Sequence, residues 1–380
     1  METFQCPICH QQEPHLIGIR QDQPYCRACI RFQFPAWVPK PRIPLAVRVQ
    51  LGYALTPDQL AIAEGLLQCY RRKQSAMVDA VTGSGKTEIV FALIQVALAE
   101  GKRIGFVIPR KDVVIELMPR FQQVFPTLKI IALYGGHSEE LEGDLLILTT
   151  HQIYRYQAYF DVLIFDEVDA FPYHGDPVLE ALVQRSVSGI IVYLSATFSS
   201  STLKKFQQTG GRVFHLYARY HGHPLPLLNL QVFPFVMKWF ALLYHLHQFH
   251  KKQLPVLVFV PTIAIGHWVY RLCKIAFPFI AFAYANHPDR ENIIKHFKSR
   301  KAPMLIATSI LERGITLAGL QVIIFAGDHR LYSASMVIQM AGRVGRKIIA
   351  PTGQVIVLTD KVNETLLNAQ AKMSFANAHL

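Results

Sequence analysis

The chain has 380 residues, 51% of them hydrophobic, and a net charge of +13. That length holds two medium domains and an appendage, and so apolar a composition excludes disorder over most of it. The surplus of Lys and Arg favours a polyanionic partner through phosphate neutralisation, with nucleic acid first and an anionic membrane face second. Runs such as Ile89 to Ala99 and Ile275 to Ala285 are too short to span a bilayer. The opening residues have no basic segment leading into an apolar one, so export is not expected and a cytoplasmic chain is.

In chain order, the first feature is Cys6-Pro-Ile-Cys9 and Cys26-Arg-Ala-Cys29, two C-x2-C pairs separated by sixteen residues. In a reducing compartment this spacing reads as a zinc site rather than as disulfides. Cys6, Cys9, Cys26 and Cys29 complete a four-thiolate shell at about 2.3 Å, which leaves no open position and makes the Zn2+ structural. His10 and His15 then read as surface residues, while Arg20, Arg27 and Arg31 form either a solvated basic face or a phosphate contact. Pro35, Pro39, Pro41 and Pro44 make a stiff connector, so residues 1–45 are expected to be a zinc-binding module and linker.

From about Thr56 short apolar runs alternate with amphipathic segments. Thr56-Pro57-Asp58-Gln59 starts a helix and allows two readings of Gln59, as half of a capping box or as a reader of an adenine edge. Strands are expected at Ala76 to Ala80, Arg103 to Ile108, Lys129 to Tyr134, Asp144 to Thr149, Asp161 to Phe165 and Gly189 to Leu194. Continuous β-branched runs of this kind form a parallel sheet covered on both faces. The first of them ends in Val81-Thr82-Gly83-Ser84-Gly85-Lys86-Thr87, a phosphate-binding loop with Ala80 where the motif usually opens on Gly. Backbone N–H groups of Gly83 to Thr87 point at the β-phosphate, aided by a helix starting near Lys86. Lys86 places its charge on the β/γ-phosphates, and Thr87 holds Mg2+.

Asp166-Glu167 closes the run Val162 to Phe165, at a carboxyl strand edge where open α/β sheets bind ligands. Asp166 is expected to hold Mg2+, and Glu167 to orient or deprotonate the attacking water. Asp169 reads as a structural or interlobe hydrogen-bonding residue. Tyr154, Tyr156 and Tyr159 are expected in the core rather than stacked on bases; Cys69 and Cys273 read as small buried hydrophobes.

Around Tyr217 to Phe233 the pattern breaks into a Pro- and His-rich stretch that reads as a hinge. A second series follows, with strands at Val256 to Val260, Phe279 to Tyr284, Met304 to Thr308, Val322 to Phe325 and Gln354 to Leu358. The expected fold is α/β, with two parallel-sheet lobes, 46–220 and 221–380, behind the zinc module.

Lys86-Thr87, Asp166-Glu167-Val168-Asp169, Ser195-Ala196-Thr197 and Gln339-x-x-Gly342-Arg343-x-Gly345-Arg346, in this order, resemble a superfamily 2 helicase or translocase. The four-cysteine module, Asp166 to Tyr173 and Arg219-Tyr-His-Gly-His-Pro-Leu-Pro226 are similar to the late competence ATPase family ComFA. The resemblance implies RecA-like lobes, ATP and Mg2+ as cofactors, and movement of single-stranded DNA. It also implies competence proteins of the uptake machinery as partners, a place peripheral to the inner membrane face, and room for a homo-oligomer. It gives Gln59 the adenine role and places Gln339 at the nucleotide. Arg343 and Arg346 become arginine fingers to the γ-phosphate, active when the lobes close. Pro109, Arg110, Gly136, Thr149, Thr150, Pro261, Thr262 and Thr308 fall where such motors grip the nucleic-acid backbone. Ser195 and Thr197 would relay the nucleotide state, and Gly314 and Thr316, in a loop, would sense both sites. A duplex-unwinding helicase and an ATP-gated clamp are the rival readings.

Overall fold

The computed structural model describes residues 4–32, 37, 41–137, 139–169, 173, 175–308 and 317–380. The chain divides into two compact units, Met1–Ala80 with Lys86–Leu216, and Val81–Gly85 with Tyr217–Leu380. At the N-terminus β1 (Ile17–Arg20) and β2 (Gln23–Cys26) form an antiparallel hairpin. Its turn residues Gln21 and Asp22 have φ of +51° and +59°, the left-handed values that a two-residue hairpin loop matching strand twist demands.

The first unit continues with α1 (Pro57–Arg71), β3 (Ala76–Ala80), α2 (Phe91–Ala99), β4 (Ile104–Ile108), α3 (Lys111–Val124), β5 (Ile130–Leu133) and β6 (Leu145–Thr149). After these come β7 (Phe160–Asp166), α4 (Pro177–Ser186), β8 (Val187–Ser195), α5 (Ser200–Gln208) and β9 (Arg212–Leu216). The seven strands β3 to β9 form one parallel sheet in the order β5-β6-β4-β7-β8-β3-β9. Phe106 and Val107 show why its strands read as unbroken apolar runs. Phe106 joins a core with Val78, Phe91 and Phe121, while its neighbour Val107 joins a separate one with Leu148, Tyr156 and Phe165. Adjacent residues of a strand face opposite sides, so both sides are apolar here. Full burial of each such side chain stabilises the unit by about 1.5–3 kcal/mol.

The second unit holds β10 (Leu228–Val232), α6 (Phe235–Lys251), β11 (Val256–Val260), α7 (Ile263–Ala276), β12 (Ala281–Ala283), α8 (Arg290–Lys298) and β13 (Met304–Thr308). β14 (Gln321–Phe325), α9 (Ala334–Ala341), β15 (Val355–Thr359) and α10 (Glu364–Ala378) complete it. Its sheet is also parallel, in the order β10-β15-β14-β11-β13-β12, with Phe259 and Val258 in the cores on its two faces.

Two strands depart from expectation. β9 and β10 each form an edge of their sheet. Their sequences, Arg-Val-Phe-His-Leu and Leu-Asn-Leu-Gln-Val, carry polar residues because an edge is covered less completely. The Tyr217 to Phe233 stretch read as a hinge therefore contains a strand. The segment after the phosphate loop also differs, since Glu88–Val90 is a 3-10 turn and the α-helix begins only at Phe91.

Candidate nucleotide and nucleic-acid sites

Strand order decides which motifs meet. β7, β8 and β3 are neighbours, and their carboxyl ends emit Asp166, Ser195 and the phosphate loop in turn. On the other side of the same edge, β5, β6 and β4 lead into Gly136, Thr149-Thr150 and Pro109-Arg110. Ile108 pairs with Thr149 across β4 and β6, so the two segments leave the sheet at one level. One edge thus separates the nucleotide motifs from the candidate backbone grips.

Gly83 and Gly85 both have φ of +82°, which only glycine adopts without strain and which turns successive N–H groups into the loop's concavity. The Thr87 side chain is buried at the start of the turn after the loop and caps no helix. Lys86 Nζ lies 3.9 Å from Asp166 Oδ1. That carboxylate oxygen accepts the Glu167 N–H at 2.9 Å, and the same N–H also lies 2.9 Å from Leu194 O. Glu167 has φ of +59°. A non-glycine residue in this region is held there by its surroundings, and such strain gathers at functional sites. In chemical terms the arrangement offers a cation for phosphate, a carboxylate able to take Mg2+ and, next to it, a second acidic residue on a left-handed backbone.

Asp169 is a structural hydrogen-bonding residue inside the first unit. Its carboxylate accepts the Ser195 hydroxyl at 2.5 Å and the Thr197 hydroxyl, while Ser195 Oγ accepts the Thr197 N–H at 2.9 Å. The ends of β7 and β8 are thereby tied together. Thr56 Oγ1 accepts the Gln59 N–H at 3.3 Å, and Gln59 Oε1 accepts the Thr56 N–H at 2.8 Å. This capping box uses the amide oxygen of Gln59.

In the second unit Val260 pairs with Thr308, which brings Pro261 and Thr262, the residues following β11, beside the end of β13. Gln339 is buried on α9. Arg343 is buried too, and Arg346 Nε donates to Gly342 O at 2.7 Å. A Cβ on Gly342 would collide with Thr82, and one on Gly345 with the Pro351 carbonyl; both glycines therefore permit close approach. Gly314 and Thr316 lie outside the described residues, as does the side chain of Arg31. Thr149 and Thr150 are buried, whereas Gly136 is exposed. Tyr156 and Tyr159 lie in the core, as do Cys69 and Cys273.

At the N-terminus the sulfurs of Cys6, Cys9, Cys26 and Cys29 all lie within 4.8 Å of one another. A tetrahedral zinc with bonds of about 2.3 Å needs sulfurs about 3.8 Å apart, and Cys9 and Cys26 stand 3.7 Å apart. Burial pushes the Cys9 thiol up to about 11 and the Cys29 thiol further. Four sulfurs packed this way can hold one cation as thiolates, and the donor set fits zinc.

Residues 52–200 match the family model described as the type III restriction enzyme res subunit, and residues 238–348 match the helicase conserved C-terminal domain. Competence protein ComFA of Streptococcus pneumoniae is 32% identical over 370 residues, covering 93% of this chain and 85% of its own. The chain belongs to the ComFA family. ComFA of Bacillus subtilis is 30% identical over 403 residues, covering 98% and 86%. Among solved structures, the Mycobacterium smegmatis helicase Lhr bound to ssDNA and AMP-PNP superposes with a TM-score of 0.64 at 18% identity, over 85% of this chain and 48% of that one. The two units are accordingly RecA-like lobes preceded by a four-cysteine cluster, and this ComFA-family chain is a superfamily 2 ATPase. Among the described residues no helix is long and apolar enough to cross a membrane.

Proposed function

We propose that this chain is an ATP-driven single-stranded DNA translocase that pulls transforming DNA across the cytoplasmic membrane, working at its inner face with other competence proteins. The observation that carries this reading is the divided carboxyl edge of the first sheet. Nucleotide motifs leave β7, β8 and β3 while candidate backbone grips leave β5, β6 and β4, so one rigid sheet links hydrolysis to hold. Charge supports it as well. No Asp or Glu stands between Glu180 and Asp289, so this stretch, with Lys204, Lys205, Arg271 and Lys274, carries a net positive charge that favours phosphates.

In this reading Thr82 to Thr87, Gln339 and the NH2 group of Gln59 hold ATP, with Thr87 and Asp166 on Mg2+. Glu167 activates water, and Arg343 and Arg346 neutralise the charge that develops on the γ-phosphate. Pro109, Arg110, Gly136, Thr149, Thr150, Pro261, Thr262 and Thr308 grip the strand, the buried threonines through their backbone. The test is whether the chain, given ATP, pushes a bound protein off single-stranded DNA. A clamp that only binds and releases cannot do this.

The N-terminal cysteines hold one structural zinc. Cys26→Ser, which removes one of four ligands, is expected to lose the metal and unfold the hairpin module while leaving nucleotide binding by the lobes within about twofold. Metal analysis together with nucleotide titration checks this. Wild-type protein purified without zinc would contradict it.

A further inference from the structure

The Pro- and His-rich segment after β9 carries three consecutive side chains that bond to three consecutive carbonyls of the turn holding Arg343 and Arg346. Arg219 Nη1 donates to Val344 O and to Gly345 O, both at 3.0 Å. Tyr220 Oη donates to Arg346 O at 2.9 Å. His221 Nε2 lies 2.9 Å from Gly345 O, and its Nδ1 accepts the His223 N–H at 3.2 Å. An Nδ1 that accepts leaves the proton on Nε2, so the neutral ring donates to Gly345 O. Gly345 itself has φ of +68°, and Arg346 Nε closes the turn onto Gly342 O.

The same tripeptide touches the phosphate loop within the second unit. The Tyr220 N–H donates to Gly83 O at 3.4 Å, and a Cβ on Gly83 would lie 3.9 Å from Arg219 Nε. Arg219 is only 1% exposed, and its Nε and Nη2 make no hydrogen bond among the described residues. Burial first, and then the charge of Arg346, hold its guanidinium down to about 10. A cation buried on carbonyls next to another cation is a poor device for stability, because desolvation and repulsion both oppose it.

We propose that Arg219-Tyr220-His221 is a clasp that fixes the Val344-Gly345-Arg346 turn against the phosphate loop, and that these three are positioning residues for ATP hydrolysis. The proposal rests on the ATPase assignment of the loop and the arginines. The clasp acts through the arginine turn, so its loss slows the chemical step without weakening ATP binding.

Arg219→Lys, which keeps the charge but not the planar fork, is expected to lower single-turnover hydrolysis about tenfold, and Tyr220→Phe about threefold. The KM for ATP should stay within about twofold in both. In an Arg346→Ala background Arg219→Lys should slow hydrolysis by less than about twofold further, because both changes disable one unit. Tyr220 is exposed, and loss of one hydroxyl there should leave the melting temperature unchanged, so that variant remains readable even if Arg219→Lys folds poorly. Wild-type rates in Tyr220→Phe, or an undiminished tenfold loss in the Arg346→Ala background, would overturn the clasp. Wild-type hydrolysis by Lys86→Ala would instead overturn the ATPase assignment of the loop.

Discussion

Lys86→Ala is expected to lower ATP hydrolysis by at least about a thousandfold, to the level of the blank, while the protein stays folded. The two halves of this expectation have different sources. Lys86 Nζ is 3.9 Å from Asp166 Oδ1, and both side chains are mostly buried. A pair this long makes no hydrogen bond, and the desolvation of both charges offsets most of their attraction, so its net contribution to the fold is small. Its removal should therefore leave the melting temperature nearly unchanged. In the proposed site, by contrast, the ammonium meets the β/γ-phosphates, where negative charge concentrates. Steady-state ATPase and thermal melting read the two halves separately. Turnover at the wild-type rate in a folded Lys86→Ala protein would remove the nucleotide site from this loop.

Arg346→Ala is expected to cost about a thousandfold in kcat with less than about threefold change in nucleotide affinity. An arginine finger meets charge that builds up only as the phosphoryl group transfers, so it contributes little to the bound ground state. In the structure the base of the Arg346 guanidinium is fixed by its Nε bond to Gly342 O. Hydrolysis rates compared with equilibrium titration of a non-hydrolysable ATP analogue measure this split. Equal losses in rate and affinity would make Arg346 a binding residue instead.

The parts of the fold that were legible in the sequence are those whose residues face apolar surroundings on both sides. β4, β6, β7, β11 and β14 are continuous hydrophobic runs because each lies inside its sheet. β9 and β10 escaped because edge strands carry residues such as Arg212, His215, Asn229 and Gln231, which break the run. The motif positions were legible because phosphate loops and paired carboxylates use residue types that backbone geometry and charge leave little freedom to change. The Asp169 bonds to Ser195 and Thr197 were only half visible, since pairing β7 beside β8 is a tertiary fact. For Gln59 the sequence allowed a cap, and the cap forms. The carbonyl clasp of Arg219, Tyr220 and His221 was not readable at all, because its partners lie more than a hundred residues away and are backbone atoms. One signal was available, an arginine in a Pro- and His-rich segment with no acidic residue nearby to pair with it.

Displacement of a bound protein from a single-stranded DNA track tests the central claim most directly, with ATP present and Lys86→Ala as the blank. Tracks of single-stranded DNA, duplex DNA and single-stranded RNA are compared at one salt concentration, since backbone affinity falls steeply with salt. The account predicts ATP-dependent displacement toward one end of single-stranded DNA, weaker action on the other two tracks and none by Lys86→Ala. ATP hydrolysis without displacement on single-stranded DNA would contradict it and leave a clamp.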